Sequence, residues 1–214
     1  MVNNELRPTV WRTARALANA NRLRLLREVW KSRGRLSVTE LAERLGMAVS
    51  TTSQYLRALN ARGLISVGRS GSYVYYADGK DRSLPEAQAI QDAFSSLFSQ
   101  RRLSDGWGKP LLAVLRAYSH FRRIDIIRCL ASVGGESFSG ISHATSIPKM
   151  SLARHMRMLT GACVVDNANG VYSLCSPHGT LEAALLRITV AGRCSQVSHF
   201  AKCDTCDSQR IRGG

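Results

Sequence analysis

The chain has 214 residues, of which 44% are hydrophobic, and its 30 lysines and arginines exceed its 15 acidic residues to give a net charge of +15. This length allows one or two ordinary cores, and the basic excess predicts a polyanionic partner, of which nucleic acid is the simplest. No run approaches the roughly 20 apolar residues of a membrane span, and the N-terminus lacks signal-peptide character, so we expect a cytoplasmic protein without a membrane partner.

Two amphipathic helices are predicted at the start of the chain. Pro8 suits the first turn of the first helix, whose apolar pattern ends near Asn19. A second apolar stripe begins almost at once. Arg22, Arg24 and Arg27 lie outside that stripe, and we expect them on a solvated helix face rather than against phosphate.

The stretch that follows predicts a short helix with clear ends. Apolar residues recur at helical spacing from Val38 to Leu45. Ser37 or Thr39 can cap the start of this run, and Gly46 ends it where a helix needs a left-handed residue.

A second short helix is predicted after a turn of three residues. Ser50 offers an N-cap, and Thr52, Leu56 and Leu59 form a narrow inward stripe. Two helices joined this tightly must cross, and a polar outward face on the second suits base edges and phosphates in a major groove. The candidate DNA-binding residues on this face are Ser50, Thr51, Ser53, Gln54 and Arg57.

The pattern then changes to the period of two that is typical of strands. The run from Leu64 to Val67 and the run from Tyr73 to Tyr76 flank a turn at 69–72. This arrangement predicts a hairpin beside the second helix, the "wing" of a winged helix-turn-helix. Arg69 and Ser72 at the hairpin tip are further candidates for contacts with phosphate or the minor groove.

Three stretches of the first eighty residues together resemble the ArsR-type family of bacterial and archaeal transcriptional regulators: ALANANRLRLL, SVTELAERLGMAVSTTSQYLRALNARGLI and GSYVYY. The resemblance implies a winged helix-turn-helix fold, binding to double-stranded DNA, and a homodimer built by the first and last helices of the domain. Family members that sense metals through the first of the two crossing helices carry cysteines there. The corresponding run, Leu36–Leu41, has none.

A further amphipathic helix is predicted to open at Pro85. Its stripe includes Phe94 and Phe98, and the preceding domain is too small to bury both by itself, so we expect this face to meet another subunit or domain. Polar and glycine residues at 104–109 then break the pattern.

The same pattern repeats about a hundred residues later. The segment SFSGISHATSIPKMSLARHMRMLTGACVV from Ser137 aligns without gaps onto the stretch from Ser37, and Tyr172 after Gly170 matches Tyr73 after Gly71. An internal duplication accounts for this register. We therefore predict a mainly α fold with small β-hairpin wings (α+β), arranged as two tandem winged helix-turn-helix domains at 1–104 and 105–192, with a basic cysteine-containing tail at 193–214.

The two repeats differ in charge. The second reading helix is more basic than the first, but its hairpin at 166–170 has no cation and one acidic residue. We expect both repeats to bind DNA, the second mainly through its helix, at an imperfect inverted repeat; the alternative is a second repeat that serves only as a dimerisation scaffold. The candidate DNA-binding residues of the second repeat are Lys149, Ser151, Arg154 and Arg157.

Because both repeats lie in one chain, the helices near Pro8, Pro85, Pro110 and Pro177 could pack the repeats together as an intrachain pseudo-dimer. A homodimer of the whole chain stays open beside it.

Soft metal ligands cluster in the tail, where Cys194, His199, Cys203 and Cys206 fall within thirteen residues. They could hold zinc or another thiophilic ion, Cys203 and Cys206 could form a reversible disulfide, or the tail could be an unstructured terminus. We predict no cofactor. Cys129, Cys163 and Cys175 suit core positions, and cysteines without framework-like spacing fit a reducing compartment.

No catalytic motif is present, and the histidines at 120, 143, 155 and 178 look scattered, so we expect no enzyme. His155 aligns with Tyr55, which favours packing or a DNA contact. The leading function is a sequence-specific transcriptional regulator that represses. The alternatives are a DNA-binding protein of replication, partition or mobile-element maintenance, and a dimerisation module without a DNA role.

Overall fold

The computed structural model describes residues 10–32, 36–70, 73–78, 85–99 and 108–191. The chain divides into two compact units, Met1–Leu112 and Ala113–Gly214. Helices dominate the described residues, and each unit contains a three-stranded antiparallel sheet. The predicted mainly α fold with small hairpins is confirmed.

In the first unit, a pair of crossing helices and a hairpin follow two longer helices. The strand β3 lies between β1 and β2, so that Tyr76 is opposite both Leu36 and Val67. The described elements are α1 (Val10–Leu17), α2 (Ala20–Ser32), β1 (Leu36–Ser37), α3 (Val38–Leu45), α4 (Val49–Asn60), β2 (Ile65–Ser70), β3 (Tyr73–Asp78) and α5 (Pro85–Ser99).

The helix α6 (Gly108–Tyr118) begins at the end of the first unit and continues into the second. In the second unit β6 lies between β4 and β5, and Tyr172 is opposite both Glu136 and Asn167. The remaining elements are α7 (Phe121–Val133), β4 (Glu136–Ser137), α8 (Phe138–Thr145), α9 (Lys149–Thr160), β5 (Val165–Ala168), β6 (Val171–Leu174) and α10 (Thr180–Val190).

The strand register corrects one detail of the sequence comparison. Tyr172 occupies the place in its sheet that Tyr76 holds in the first sheet, so the match of Tyr172 to Tyr73 was wrong. Val67 and its partner Tyr76 are nine positions apart, whereas Asn167 and Tyr172 are five apart, which makes the second hairpin four residues shorter. The glycine two residues before each tyrosine concealed this difference in length.

The predicted ends of α3 are both present. Ser37 is the N-cap: its hydroxyl accepts the Glu40 N–H at 3.3 Å, and a Glu40 carboxylate oxygen accepts the Ser37 N–H at 2.7 Å. This reciprocal pair is a capping box, which satisfies two backbone donors that the helix leaves unbonded. The hydrogen bonds that the Ser37 N–H and the Ser37 hydroxyl donate to the Glu40 carboxylate lower the pKa of Glu40. Gly46 ends the helix at φ 62°, a conformation that glycine adopts without strain.

Replacing Ser37 with alanine is expected to lower the free energy of unfolding of the first unit by about 1 kcal/mol, because the cap is lost while Glu40 remains. Urea denaturation followed by circular dichroism measures the change. Thr39→Ala is the control, since Thr39 is exposed and Ser37 makes the cap. An equal loss in both variants would contradict the assignment of the cap.

A central helix organises each core. In the first unit α2 packs against α3, α4, α5 and β3, and in the second unit α7 packs against α8, α9, α10 and β6. Because these contacts hold the inner sides of α4 and α9, the outer sides of both helices have fixed positions. The fully buried side chains at these contacts include Leu23, Leu26, Leu41, Leu56 and Leu59, and in the second unit Ile126, Ile127, Ile141, Leu152 and Leu159.

The face of α5 packs partly within its own unit. Phe94 is completely buried, Phe98 stacks on it at 5.3 Å between ring centroids, and Trp30 of α2 meets Phe98 edge-on at 6.0 Å. The side chain of Gln91 donates a hydrogen bond to the carbonyl of Gly63. Part of α5, whose apolar stripe was expected to meet another subunit or domain, therefore contacts α2 and the turn that follows α4.

Candidate nucleic-acid interface

The helix α4 begins two residues earlier than an N-cap at Ser50 would place it. Ala48 is the N-cap, in an extended conformation at φ −63° and ψ 139°, and it makes no side-chain cap. Ser50 is therefore the second helical residue and not a cap, which corrects the prediction. Its side chain is exposed at a helix N-terminus, where unbonded N–H groups favour an anion such as phosphate.

The two sides of α4 differ as predicted. Thr52, Leu56 and Leu59 are completely buried. The buried Thr52 hydroxyl has a hydrogen-bond partner, because it donates to the Ala48 carbonyl at 3.0 Å. On the outer side the polar side chains are available to a ligand. Ser50, Gln54 and Arg57 are exposed, whereas Thr51 and Ser53 are half-buried.

One hydrogen bond organises this outer face. The Arg57 guanidinium donates to the Ser53 hydroxyl at 3.2 Å, one helical turn away. Arg57 and Gln54 are both exposed to solvent beside this bond. Arginine and glutamine are the side chains that form bidentate hydrogen bonds with guanine and adenine in the major groove.

The first hairpin supplies one described cation. Arg69 is exposed on β2, where it is opposite Val74 of β3. Ser72, the other candidate of this hairpin, lies outside the described residues.

Arg22 does not lie on a solvated face, which corrects the sequence interpretation. Its guanidinium donates to the carbonyls of Arg15 and Ala16 at the end of α1, and it lies 5.5 Å from the centre of the Tyr55 ring. Carbonyls at a helix C-terminus have no helical partner and attract a cation. Arg22 therefore joins α1 to α4, and burial lowers its pKa.

The helix α9 presents a more basic and more apolar face than α4. Lys149, Arg154 and Arg157, three of the predicted DNA-binding residues, are exposed. Ser151 is half-buried, and its hydroxyl accepts a hydrogen bond from Arg122 at 3.1 Å. Met150, which was not among the candidates, is 89% exposed; its alignment with Ser50 was the available signal.

The tip of the second hairpin is a two-residue turn. Asn169 and Gly170 have φ angles of 52° and 84°, the left-handed values of a type I′ turn that Asn-Gly favours. The Gly170 N–H donates to the Asn167 side chain at 3.1 Å. With Asp166 beside it and no cation in 165–174, this hairpin offers little to phosphate.

Two histidines that looked scattered in the sequence are neighbours. The ring centroids of His120 and His155 are 4.7 Å apart, and His155 is only 7% exposed. Of the two roles expected for His155, packing therefore fits the structure. Burial, then His120, Arg123, Arg122 and Arg154 in turn, lower the pKa of His155 to about 4.

The pKa of His155 predicts a pH-dependent stability. Its folded value of about 4 lies below the value of 6.5 for an unperturbed histidine, so the unfolded chain binds more protons between those limits. The free energy of unfolding should fall by roughly 1 to 2 kcal/mol between pH 7 and pH 5 through this residue. Urea titrations of the wild type and of His155→Tyr, which carries the residue found at position 55, measure the difference. An identical pH dependence in both proteins would contradict the buried neutral state.

No group of three or more metal-ligating side chains occurs among the described residues. The predicted cluster Cys194, His199, Cys203 and Cys206 lies outside them. Cys175 is buried and Cys163 packs against it, while Cys129 is half-buried with a pKa raised by burial. No helix within the described ranges combines the length and apolarity needed to cross a bilayer.

Comparison with known proteins assigns the class of the first unit. Residues 18–66 match a family described as "Winged helix-turn-helix DNA-binding". This range contains α2, the crossing helices α3 and α4, and the start of the hairpin. Those residues therefore match a winged helix-turn-helix DNA-binding domain, and the described helices and strands have the order that this name implies.

Two known proteins resemble the chain over this region. The nodulation protein NolR of Rhizobium meliloti is 33% identical over 79 residues, which are 37% of this chain and 63% of NolR. The chain thus spans less than two thirds of the length of that relative. The structure of reduced HlyU from Vibrio cholerae is 30% identical, covers 40% of this chain and 83% of HlyU, and superposes with a TM-score of 0.32.

Proposed function

We propose that the chain is a sequence-specific transcriptional regulator that represses by occupying an operator. The observation that carries this proposal is the two-sided α4. Its inner side is fixed by Thr52, Leu56 and Leu59, while Gln54 and Arg57 stand exposed on the outer side of a DNA-binding domain. A rigid helix with free base-reading side chains suits a protein that selects one DNA sequence.

Charge supports the same function. The net charge of +15 attracts the phosphate backbone, and exposed Arg69 lies on the hairpin that follows α4. Phosphate contacts orient a protein on duplex DNA, while base contacts specify the sequence. The resemblance to ArsR-type regulators agrees with this role.

For the second unit, we take residues 105–192 as a second winged helix-turn-helix domain that arose by duplication. Support comes from the matching sheet orders, β1-β3-β2 and β4-β6-β5, and from the equal lengths of α4 and α9. Lys149, Arg154 and Arg157 then contact DNA through α9. Because the two reading faces differ, the preferred site is an imperfect inverted repeat.

Replacing Arg154 and Arg157 with alanine tests this second contact. If each arginine neutralises one phosphate, the slope of log K against log salt should fall by about 1.8, with a clear loss of affinity at low salt. Fluorescence anisotropy across a salt series measures both values. Arg187→Ala removes an exposed cation from α10 and serves as the control. Unchanged affinity and slope would mean that the second unit is a scaffold.

The two units further form an intrachain pseudo-dimer in this proposal, in which one polypeptide supplies both halves of a two-fold arrangement. The repeated apolar helices after each hairpin in the sequence motivate it. Sedimentation equilibrium gives the mass in solution. A monomer that protects an inverted repeat agrees with the pseudo-dimer, whereas an obligate homodimer with non-contacting units rejects it.

Mapping of binding sites across the host genome, followed by binding assays on the recovered fragments at two salt concentrations, tests the function. A regulator occupies promoter operators and keeps its preference at the higher salt. Occupancy of tandem repeats at a replication origin would instead indicate a maintenance protein. Absence of binding at low salt would leave only a dimerisation module.

A further inference from the structure

An open cavity of about 550 Å³ lies between the start of α7 and the outer edge of α9 in the second unit. Its position follows from the packing of α7 on α9. We name it the α7–α9 pocket. The side chains that matter for its chemistry are His120, Arg122, Arg123, Ser151, Arg154 and His155.

Three guanidinium groups line this pocket without a compensating acid. Arg123 is anchored by hydrogen bonds to the carbonyls of Ala117 and Arg116, both at 2.7 Å, and Arg122 donates to Ser151. Among the residues that the structure describes, none of the three pocket arginines forms an ion pair with a carboxylate. Burial, and after it the neighbouring Arg154, lower the pKa of Arg123. The three guanidinium groups give the pocket its positive charge, and Phe121 and Met158 also line it.

The two imidazoles add hydrogen-bonding groups to the same pocket. The Nδ1 atom of His120 accepts a hydrogen bond from the backbone N–H of Arg122 at 3.1 Å, and His120 thereby caps the start of α7. The Nε2 atom of His155 is 3.4 Å from the Ser151 hydroxyl, and its buried Nδ1 has no hydrogen-bond partner among the described residues. His155 is 93% buried, so an Nδ1 atom without a hydrogen bond there destabilises the fold unless a ligand supplies that bond.

The first unit shows that packing alone does not require these cations. Arg22 and Arg123 occupy equivalent positions, because each donates to the carbonyls of the residues six and seven positions before it. A residue of α7 therefore corresponds to the residue of α2 whose number is 101 lower. The helices α4 and α9 correspond at an offset of 100. At the positions of His120, Arg122, Ser151, Arg154 and His155 the first unit has Asn19, Asn21, Thr51, Gln54 and Tyr55.

At these positions and that of Arg123, the first unit therefore has one guanidinium group, that of Arg22. The second unit has three guanidinium groups and two imidazoles. We propose that the α7–α9 pocket binds a phosphate-class oxyanion, with Arg122 and Arg154 donating hydrogen bonds to it and the more buried Arg123 supplying further positive charge. Arginine matches the geometry of phosphate oxygens through paired N–H groups. The N-terminus of α7, a helix of 13 residues, adds favourable potential. The anion is either a free small phosphate or a backbone phosphate of DNA.

The test uses the full-length protein with ¹⁵N-labelled histidine and inorganic phosphate as the probe, at constant ionic strength balanced with chloride. We expect a saturable shift of the His120 and His155 imidazole signals, half-complete at roughly 1 to 10 mM phosphate. Arg122→Asn, which restores the residue of the first unit, should weaken this binding by about tenfold. Arg187→Asn removes an equal charge from α10 and should leave it unchanged.

A second variant protects the test against misfolding. Arg154→Gln changes an exposed side chain to its first-unit counterpart and should weaken phosphate binding in the same way. The absence of a saturable shift, or equal binding in the Arg122, Arg154 and Arg187 variants, would overturn the site.

Addition of duplex DNA separates the two sources of the anion. If DNA moves the same imidazole signals and abolishes the response to phosphate, the pocket holds a backbone phosphate. If DNA leaves the response intact, the pocket holds a free anion. The phosphate titration itself needs no DNA, so failure of the proposed regulatory function would not affect its outcome.

Discussion

Replacing Gln54 and Arg57 together with alanine is expected to weaken binding to a mapped operator by about 30-fold or more. Each bidentate contact between such a side chain and a base contributes roughly 1 to 3 kcal/mol of discrimination. Both side chains are exposed, so the free energy of unfolding should fall by less than about 0.5 kcal/mol. Competition assays with operator and scrambled duplexes measure the affinity, and thermal unfolding measures the stability.

Arg187→Ala is the matched control, since Arg187 is exposed on α10 and its substitution also removes one positive charge. It should bind like the wild type. If the double variant keeps its preference for the operator over scrambled DNA, α4 does not read the bases. If it loses affinity equally for both duplexes, Arg57 contacts phosphate and Gln54 contributes little to specificity.

Phe94→Ala is expected to lower the free energy of unfolding of the first unit by about 3 to 5 kcal/mol. Phe94 is completely buried and stacks with Phe98, which in turn meets Trp30 on α2. Removal of the ring leaves a cavity that the surrounding helices can close only in part. Urea denaturation, followed by tryptophan fluorescence and circular dichroism, measures the loss.

Phe98→Ala provides the graded comparison, because Phe98 is only half-buried. It should destabilise the unit less than Phe94→Ala does. A loss below about 1 kcal/mol for Phe94→Ala would mean that α5 is not part of the core of the first unit.

Much of the first unit follows from local sequence rules. The stripe of Thr52, Leu56 and Leu59 predicted which side of α4 is buried, because helical periodicity fixes a shared face. Ser37 and Gly46 predicted the ends of α3, because capping depends on residues a few positions apart. These signals act within one or two turns, where a sequence contains all the information needed.

Other features depend on contacts between distant residues. Arg22 looked solvated because its partners, the carbonyls at the end of α1 and the Tyr55 ring, are specified by how α1 and α4 cross α2. His120 and His155 looked scattered because 35 positions separate them, although their rings are 4.7 Å apart. The charged pocket between α7 and α9 was missed for the same reason.

Two errors came from local signals with more than one reading. Ser50 is a good N-cap residue, yet the chain turns into the helix at Ala48, so the tight connection after Gly46 decided the boundary. Tyr172 was matched by its preceding glycine, but strand pairing placed it opposite Glu136. A hairpin can lose residues at its tip without a change in the paired strands.

The central claim is that the outer face of α4 enters duplex DNA, and photocrosslinking tests it most directly. The photoreactive residue p-benzoylphenylalanine replaces Gln54 in one protein and Asp92, exposed on α5, in another. Each protein is irradiated with a labelled, mapped fragment. We predict a covalent protein–DNA adduct from position 54, competed by unlabelled operator, and none from position 92. No adduct from position 54, in a protein that still binds the fragment, would contradict the account.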